Sequence, residues 1–260
     1  MEKDINNILS QGSILEAGKQ RHYLLKYGLG LRTDQEAEYT IISGCAVPFG
    51  IIEPFIAFTK LLDLFDVDYT FLKKEYCCGG FIISRTRGNE RKNAEDYSRK
   101  FVENNVKQAK KLGSSTVVTL CAVCAYLYSE MFGKAEDIRI IHYPELLLEK
   151  IKGKTELNQD IAYYEGCYKV HEEIAPRGTI NLGSVHQIFE KIKGLKVTEI
   201  ASDLCCITDS KAVINQAIGK DLNTVVCSCS GCHAMLKRNL EKSKKMEVKF
   251  LTQIILESLR

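Results

Sequence analysis

The sequence predicts an α/β protein of two pseudo-symmetric lobes, each with a parallel sheet and cysteine loops at the strand carboxyl ends. Three observations lead there. Short apolar runs alternate with longer stretches of helical period. The same order of strands and cysteines occurs twice along the chain. Every cysteine except Cys227 falls just past the end of a strand run.

The first half reads as follows. Residues 1–38 form an N-terminal helical extension, with helical period over Ile14–Tyr27, that serves as a docking arm or caps the first lobe. Tyr39–Ser43 is a strand, followed by Cys45, and Ile51–Phe65 is a helix with Pro54 tolerated in its first turn. Val67–Leu72 is the next strand, ahead of Cys77-Cys78-Gly79-Gly80. A long helix spans Ala94–Leu112, with Asn93 as N-cap and Gly113 as its stop. Ser115–Leu120 is a strand that runs into Cys121-Ala122-Val123-Cys124, and a short helix then reaches Gly133. Ile138–Tyr143 is a strand, and Pro144 opens the helix Glu145–Ile151.

The second half repeats the order. Strands are expected at Ile161–Tyr164, Lys196–Ile200, Thr224–Ser228 and Val248–Leu251. Helices are expected at Leu182–Ile192 and Ser210–Ile218, in a basic stretch ending near Lys245, and at Thr252–Leu259. The resulting domains are 39–155 and 156–260, with the boundary in the polar stretch 153–159. Strands alternating with helices call for parallel sheets with right-handed crossovers. Ligands of such sheets collect at the carboxyl ends of the strands, so each half should gather its cysteines at one sheet edge.

Composition narrows the function. A chain of 260 residues with 45% hydrophobic and 27% charged residues is ordinary for a globular protein, and a net charge of +3 is too small to argue for nucleic acid. Met1–Asn7 is polar and lacks the apolar core of a secretory signal. Ile51–Phe65 is interrupted by Glu53, Pro54, Lys60 and Asp63, so no transmembrane segment is expected. The chain therefore reads as cytoplasmic. In that compartment thiols stay reduced, and eleven cysteines argue for metal binding or thiol chemistry rather than disulfides.

The cysteines fall into two quintets. Cys45, Cys77, Cys78, Cys121 and Cys124 are separated by 31, no, 42 and two residues. Cys167, Cys205, Cys206, Cys229 and Cys232 are separated by 37, no, 22 and two. A tetrahedral zinc ion and an ordinary cubane cluster each take four ligands, one fewer than each quintet offers. Adjacent cysteines also point apart in extended chain, which suits a larger multi-iron group better than one ion. The Cys-x-x-Cys pairs fall at helix starts, where backbone N–H groups and the helix dipole stabilise thiolates. Cys227 aligns with Thr119 within a strand and reads as a core thiol.

The pattern Cys-x31-Cys-Cys-Gly-x42-Cys-x2-Cys resembles the CCG motif, and the arrangement from Tyr39 to Arg260 resembles the B subunit of heterodisulfide reductase. The resemblance implies two [4Fe-4S] clusters of a non-cubane type. Cys45, Cys77, Cys78, Cys121 and Cys124 would hold one, and Cys167, Cys205, Cys206, Cys229 and Cys232 the other. It implies that a disulfide is reduced, or thiols oxidised, between clusters facing a common cavity. Its partners would be a ferredoxin-like iron–sulfur subunit and a flavin subunit, and its substrate a small thiol or disulfide. Cys205-Cys206-Ile207-Thr208 departs from Cys-Cys-Gly, and the gap of 22 is short for the family. Related chains serve hydroxy-acid dehydrogenases as electron-transfer subunits, which is a second reading. A zinc-binding module without enzymatic activity is a third.

His171, His233 and Lys169 lie near the expected cluster edge as candidate proton donors or anion contacts, and Arg85 and Arg87 could attract an anionic thiol. The run Lys237, Arg238, Lys242, Lys244 and Lys245 could dock an acidic electron carrier. No Ser/His/Asp set, phosphate loop or dinucleotide fingerprint is evident.

Overall fold

A computed structural model describes residues 1–14, 18–47, 50–132, 137–166, 181, 183–200, 203–240 and 246–260. The protein is α/β and contains two four-stranded sheets, parallel at every pairing. Its described residues form two compact units.

The first unit holds the described residues of Met1–Phe49 and Val67–His142. It opens with α1 (Glu2–Gln11) and α2 (Gly18–Tyr23), the latter running into a π-turn at Leu24–Gly28. Strands β1 (Tyr39–Ile42), β2 (Tyr69–Phe71), β3 (Thr116–Thr119) and β4 (Arg139–His142) lie in the order β2-β1-β3-β4. β1, β2 and β3 are buried along their whole length, as expected of a parallel sheet covered on both faces. Its other described helices are α4 (Gly80–Arg85), α5 (Gly88–Lys111) and α6 (Ala122–Phe132).

The second unit holds the described residues of Gly50–Asp66, Tyr143–Glu172 and Asn181–Arg260. Strands β5 (Thr155–Tyr164), β6 (Ile192–Ile200), β7 (Thr224–Cys227) and β8 (Glu247–Phe250) lie in the order β6-β5-β7-β8. Its helices include α8 (Gly183–Glu190), α9 (Ser210–Ile218), α10 (Ser230–Leu240) and α11 (Leu251–Ser258). Two helices from earlier in the chain, α3 (Ile52–Leu64) and α7 (Tyr143–Lys150), belong to this unit as well. α3 packs along α11, where Thr252 donates to the Pro54 carbonyl at 2.9 Å. α7 packs against α8, and Tyr143 stacks on Phe250 with ring centroids 5.1 Å apart.

The two sheets share one topology. In each, the first strand is central, the second pairs on one side of it and the third on the other. Connections leaving the first and third strands therefore diverge, and such a switch point opens a crevice at the carboxyl edge. The loops after β1 and β3 lead to Cys45 and Cys121, and those after β5 and β7 to Cys167 and Cys229.

Several element boundaries depart from expectation. β5 begins at Thr155 and β6 at Ile192, so both strands are longer than the apolar runs Ile161–Tyr164 and Lys196–Ile200. Burial alternates over the first six residues of β5, where Glu156, Asn158 and Asp160 are exposed. Those polar residues carry no strand signal, and only their pairing with β6 makes the extension. α5 begins at Gly88, not at Ala94, and Asn93 lies inside it. Its first turns are Gly88-Asn89-Glu90-Arg91-Lys92-Asn93, without the apolar period that marks a buried face. α4 carries no helical signal of its own, because only six residues separate Gly79 from Thr86.

Candidate metal centre

The five thiols of the first set come together. Cys45 follows β1, Cys77 and Cys78 follow β2, and Cys121 and Cys124 bracket the start of α6. Cys124 donates to Cys78 with sulfurs 3.3 Å apart. Cys45 donates to Cys77, Cys77 donates to Cys78, and Cys124 also donates to Cys121. One connected network therefore joins all five sulfurs. Cys77, Cys78 and Cys124 are buried, while Cys45 and Cys121, on the two loops that flank the switch point, are half-buried.

Cys78 is the acceptor at the middle of this network. The hydrogen bonds from Cys124 and Cys77 hold its pKa below the ordinary thiol value. Donation to Cys77 and burial push Cys45 up, and donation to Cys121 and Cys78 pushes Cys124 up. Cys77 accepts from Cys45, which lowers it, but its own donation to Cys78 and its burial raise it on balance. The bare network thus favours thiolate at its centre and retains protons around it. A cationic metal core could displace those protons and draw on all five donors, so the donor set fits an iron–sulfur group. Among the described residues, no group of three or more His, Cys, Asp or Glu could hold a single metal ion.

Local structure explains how the thiols are aimed. Cys121 accepts the first helical hydrogen bond of α6, from Ala125 N–H at 2.9 Å, and Cys124 lies in its first turn. Gly79 sits at φ 78° and starts α4, in a left-handed conformation that costs other residues energy. A β-carbon at Gly80 would meet Val123 Cγ1 at 2.5 Å. The Cys78 carbonyl accepts from Ser98 of α5 at 2.6 Å.

Two buried polar residues hold the loops, and sequence reasoning misses both. Glu75, 1% exposed, accepts from Ser43 N, Ser43 Oγ and Gly44 N, each at 2.8 Å. It thereby fastens the loop before Cys45 to the loop before Cys77. Asn105, fully buried on α5, accepts from Tyr76 N at 2.8 Å and donates to Tyr76 O at 2.7 Å and to Tyr128 Oη. The available signal is a single acid or amide within an otherwise apolar or helical stretch, which does not reveal its partner.

The second set is described in part. Cys167, Lys169 and His171 lie outside the described residues, as do Lys242, Lys244 and Lys245. Cys205 and Cys206 follow β6, and Cys229 and Cys232 bracket the start of α10; all four are buried. Their strands are neighbours of β5 at the same carboxyl edge. Cys229 accepts from His233 N–H at 3.0 Å, matching the Cys121–Ala125 bond. Cys206-Ile207-Thr208 forms a turn that leads directly into α9. Asp209 ties that turn by accepting from Cys205 N at 3.2 Å while its own N–H donates to Cys205 O at 2.7 Å. Ile207 is not among the residues with positive φ, so the glycine of the first motif is not required here. The single helix α9 stands where the first unit has α4 and α5, which accounts for the gap of 22 in place of 42.

The other candidates have plain surroundings. Cys227 ends β7 as Thr119 ends β3; it is fully buried, and burial raises its pKa. Arg85 stacks on the Phe81 ring at 3.7 Å, Arg87 donates to the Ser84 and Thr86 carbonyls, and Lys237 pairs with Glu53 of α3. His233 is 1% exposed and packs edge-on to Phe250, with a centroid distance of 5.9 Å. His142, at the end of β4 and near Cys121, is as deeply buried.

Burial lowers the pKa of both histidines from 6.5 to about 4, so both rings are neutral at pH 7. In the unfolded chain each takes a proton near pH 6.5. Their contribution to stability is complete above that pH and is lost as pH falls toward about 4. The expected loss is about 3 kcal/mol per ring. Urea unfolding of the metal-free chain across this window checks it, and replacing either histidine with glutamine should flatten the profile.

Residues 39–127 match the family model CCG, Cysteine-rich domain. That match spans β1 to α6 and contains the whole first thiol network. The D subunit of dihydromethanophenazine:CoB–CoM heterodisulfide reductase from Methanosarcina mazei is 24% identical over 148 residues, covering 53% of this chain and 35% of that protein. An uncharacterized iron–sulfur protein of Methanococcus maripaludis is 23% identical over 228 residues, covering 82% of this chain and 43% of that protein. The chain thus spans less than half the length of these curated relatives. A hypothetical protein from Helicobacter pylori shares the fold with a TM-score of 0.59 at 13% identity, covering 95% of this chain and 57% of that chain. No described helix is long and apolar enough to cross a membrane.

Proposed function

We propose that this chain is an iron–sulfur subunit of a heterodisulfide reductase-like complex, in the manner of the B subunit. It would reduce a disulfide, or oxidise two thiols, with two [4Fe-4S] clusters of the non-cubane type. The observation that carries this reading is the single network joining Cys45, Cys77, Cys78, Cys121 and Cys124. The relatives support it, since one is named as a heterodisulfide reductase subunit and another as an iron–sulfur protein.

The first quintet would hold one cluster, and Cys167, Cys205, Cys206, Cys229 and Cys232 the other. When bound, such clusters supply one-electron chemistry. The chain's own contribution is to shield the sulfurs, aim them from strand ends and helix starts, and fix the loops through Glu75 and Asn105. A disulfide takes up two electrons and two protons to give two thiols. The electrons would come from a ferredoxin-like iron–sulfur subunit and a flavin subunit. His171 and Lys169 are the candidates for handling protons or substrate charge near the second site, whereas the buried, neutral ring of His233 is a poor proton donor. A reducing, cytoplasmic setting suits a chain whose described cysteines stand as thiols.

Anaerobic reconstitution followed by metal analysis and EPR tests the reading. The expected result is about eight irons per chain, with a spectrum that changes when a small thiol is added. Zinc without iron would overturn it in favour of a binding module. Iron with a spectrum indifferent to thiols would reduce the role to electron transfer.

A further inference from the structure

The N-terminal segment brings a buried cation to Glu75, the acid that fastens the cysteine loops of the first unit. Arg21 of α2 is 2% exposed. Its Nη2 donates to the Glu75 carbonyl, and Nη1 lies 3.6 Å from Glu75 Oε1. Nη1 makes no hydrogen bond among the described residues. Both carboxylate oxygens of Glu75 are already taken by Ser43 and Gly44. The guanidinium is thus only partly satisfied by the acid beside it, and that acid holds the N–H of Gly44, the residue before Cys45. The same segment makes a second contact with the cysteine loop. Gly12, which ends α1 at φ 77°, accepts from Cys77 N–H at 2.8 Å. A β-carbon at Gly12 would collide with the Glu75 carbonyl, so the approach depends on glycine.

We propose that Arg21 is the resident positive charge of the first metal centre and sets the reduction potential of the group bound there, with Glu75 as its counterweight. This rests on the iron–sulfur reading above. The physical reason is charge balance. Adding an electron to a group already held by thiolates is easier beside a fixed cation, and burial keeps that cation from being screened. Arg21 acts as a tuning and positioning residue, because Glu75 links it to the loop that carries Cys45.

Three full-length variants test the proposal: Arg21→Met, Arg21→Lys and Glu75→Gln. Each is reconstituted anaerobically, its iron counted, and its first-site signal followed by EPR during a redox titration. Arg21→Met should lower the midpoint so that, at a fixed applied potential, the ratio of reduced to oxidised centre falls about tenfold, equivalent to about 59 mV for one electron. Arg21→Lys should stay near wild type. Glu75→Gln should shift the midpoint the other way, because the guanidinium is then uncompensated. An iron-loaded variant that breaks this order overturns the proposal. Iron in Arg21→Lys but not in Arg21→Met supports it through the charge requirement. Absence of iron from both Arg21 variants overturns it in favour of guanidinium geometry. Absence of iron from the wild type itself would instead sink the iron–sulfur reading, a result distinct from all of these.

Discussion

Replacing Cys78 with serine is expected to empty the first metal centre, lowering reconstituted iron from about eight to about four atoms per chain. Cys78 is the sulfur on which the network converges, since it accepts from both Cys77 and Cys124. It is also the thiol whose surroundings already favour the anion. A serine hydroxyl is a harder donor that stays protonated, and iron–sulfur groups are held by soft thiolate. Cys227→Ala is the matched control: that thiol is buried at the end of β7, and its loss should leave the iron count unchanged. Metal analysis and EPR on the two variants read the difference. A full complement of iron in Cys78→Ser would show that the network is packing rather than a ligand set.

The second large effect is expected at Asn105. Substitution with alanine removes the partners of Tyr76 N and Tyr76 O and strips a hydrogen bond from Tyr128 Oη, all within the packed wall of the first unit. Each buried polar group left unpaired costs about 1–3 kcal/mol. A loss of about 3 kcal/mol overall is expected, lowering the unfolding midpoint by about 6–12 °C in a chain of this size. Because Tyr76 directly precedes Cys77, the variant should also load iron more slowly. Asn104 is exposed on the same helix, and Asn104→Ala should change stability by less than about 0.5 kcal/mol. Calorimetry on the metal-free proteins separates the two. Equal midpoints would mean that α5 does not hold the Cys77 loop.

Glu75, Arg21 and Asn105 show where sequence reasoning stops. Nothing local distinguishes Glu75 from the solvated acids of this chain, or Arg21 from its many surface cations. What defines them is a partner at long separation: Glu75 binds Ser43 and Gly44 across 32 and 31 residues, Arg21 reaches Glu75 across 54, and Asn105 reaches Tyr76 across 29. The same limit applies to α3. Its apolar character is plain in the sequence, but its packing against α11 in the second unit depends on a surface formed some two hundred residues later, at the Thr252–Pro54 contact with separation 198.

By itself, the sequence determined the α/β class, the doubled order of strands and cysteines, and the sheet edge at which the described cysteines of the two quintets emerge. These follow from local period and from the rule that loops leave parallel strands at their carboxyl ends, so a single chain can display them. Only the tertiary structure decided which helices join which unit, how far β5 and β6 extend, and which buried charge and amide fasten the first thiol network. Those depend on distant polar groups finding partners away from water, and that pairing does not exist until the chain has folded.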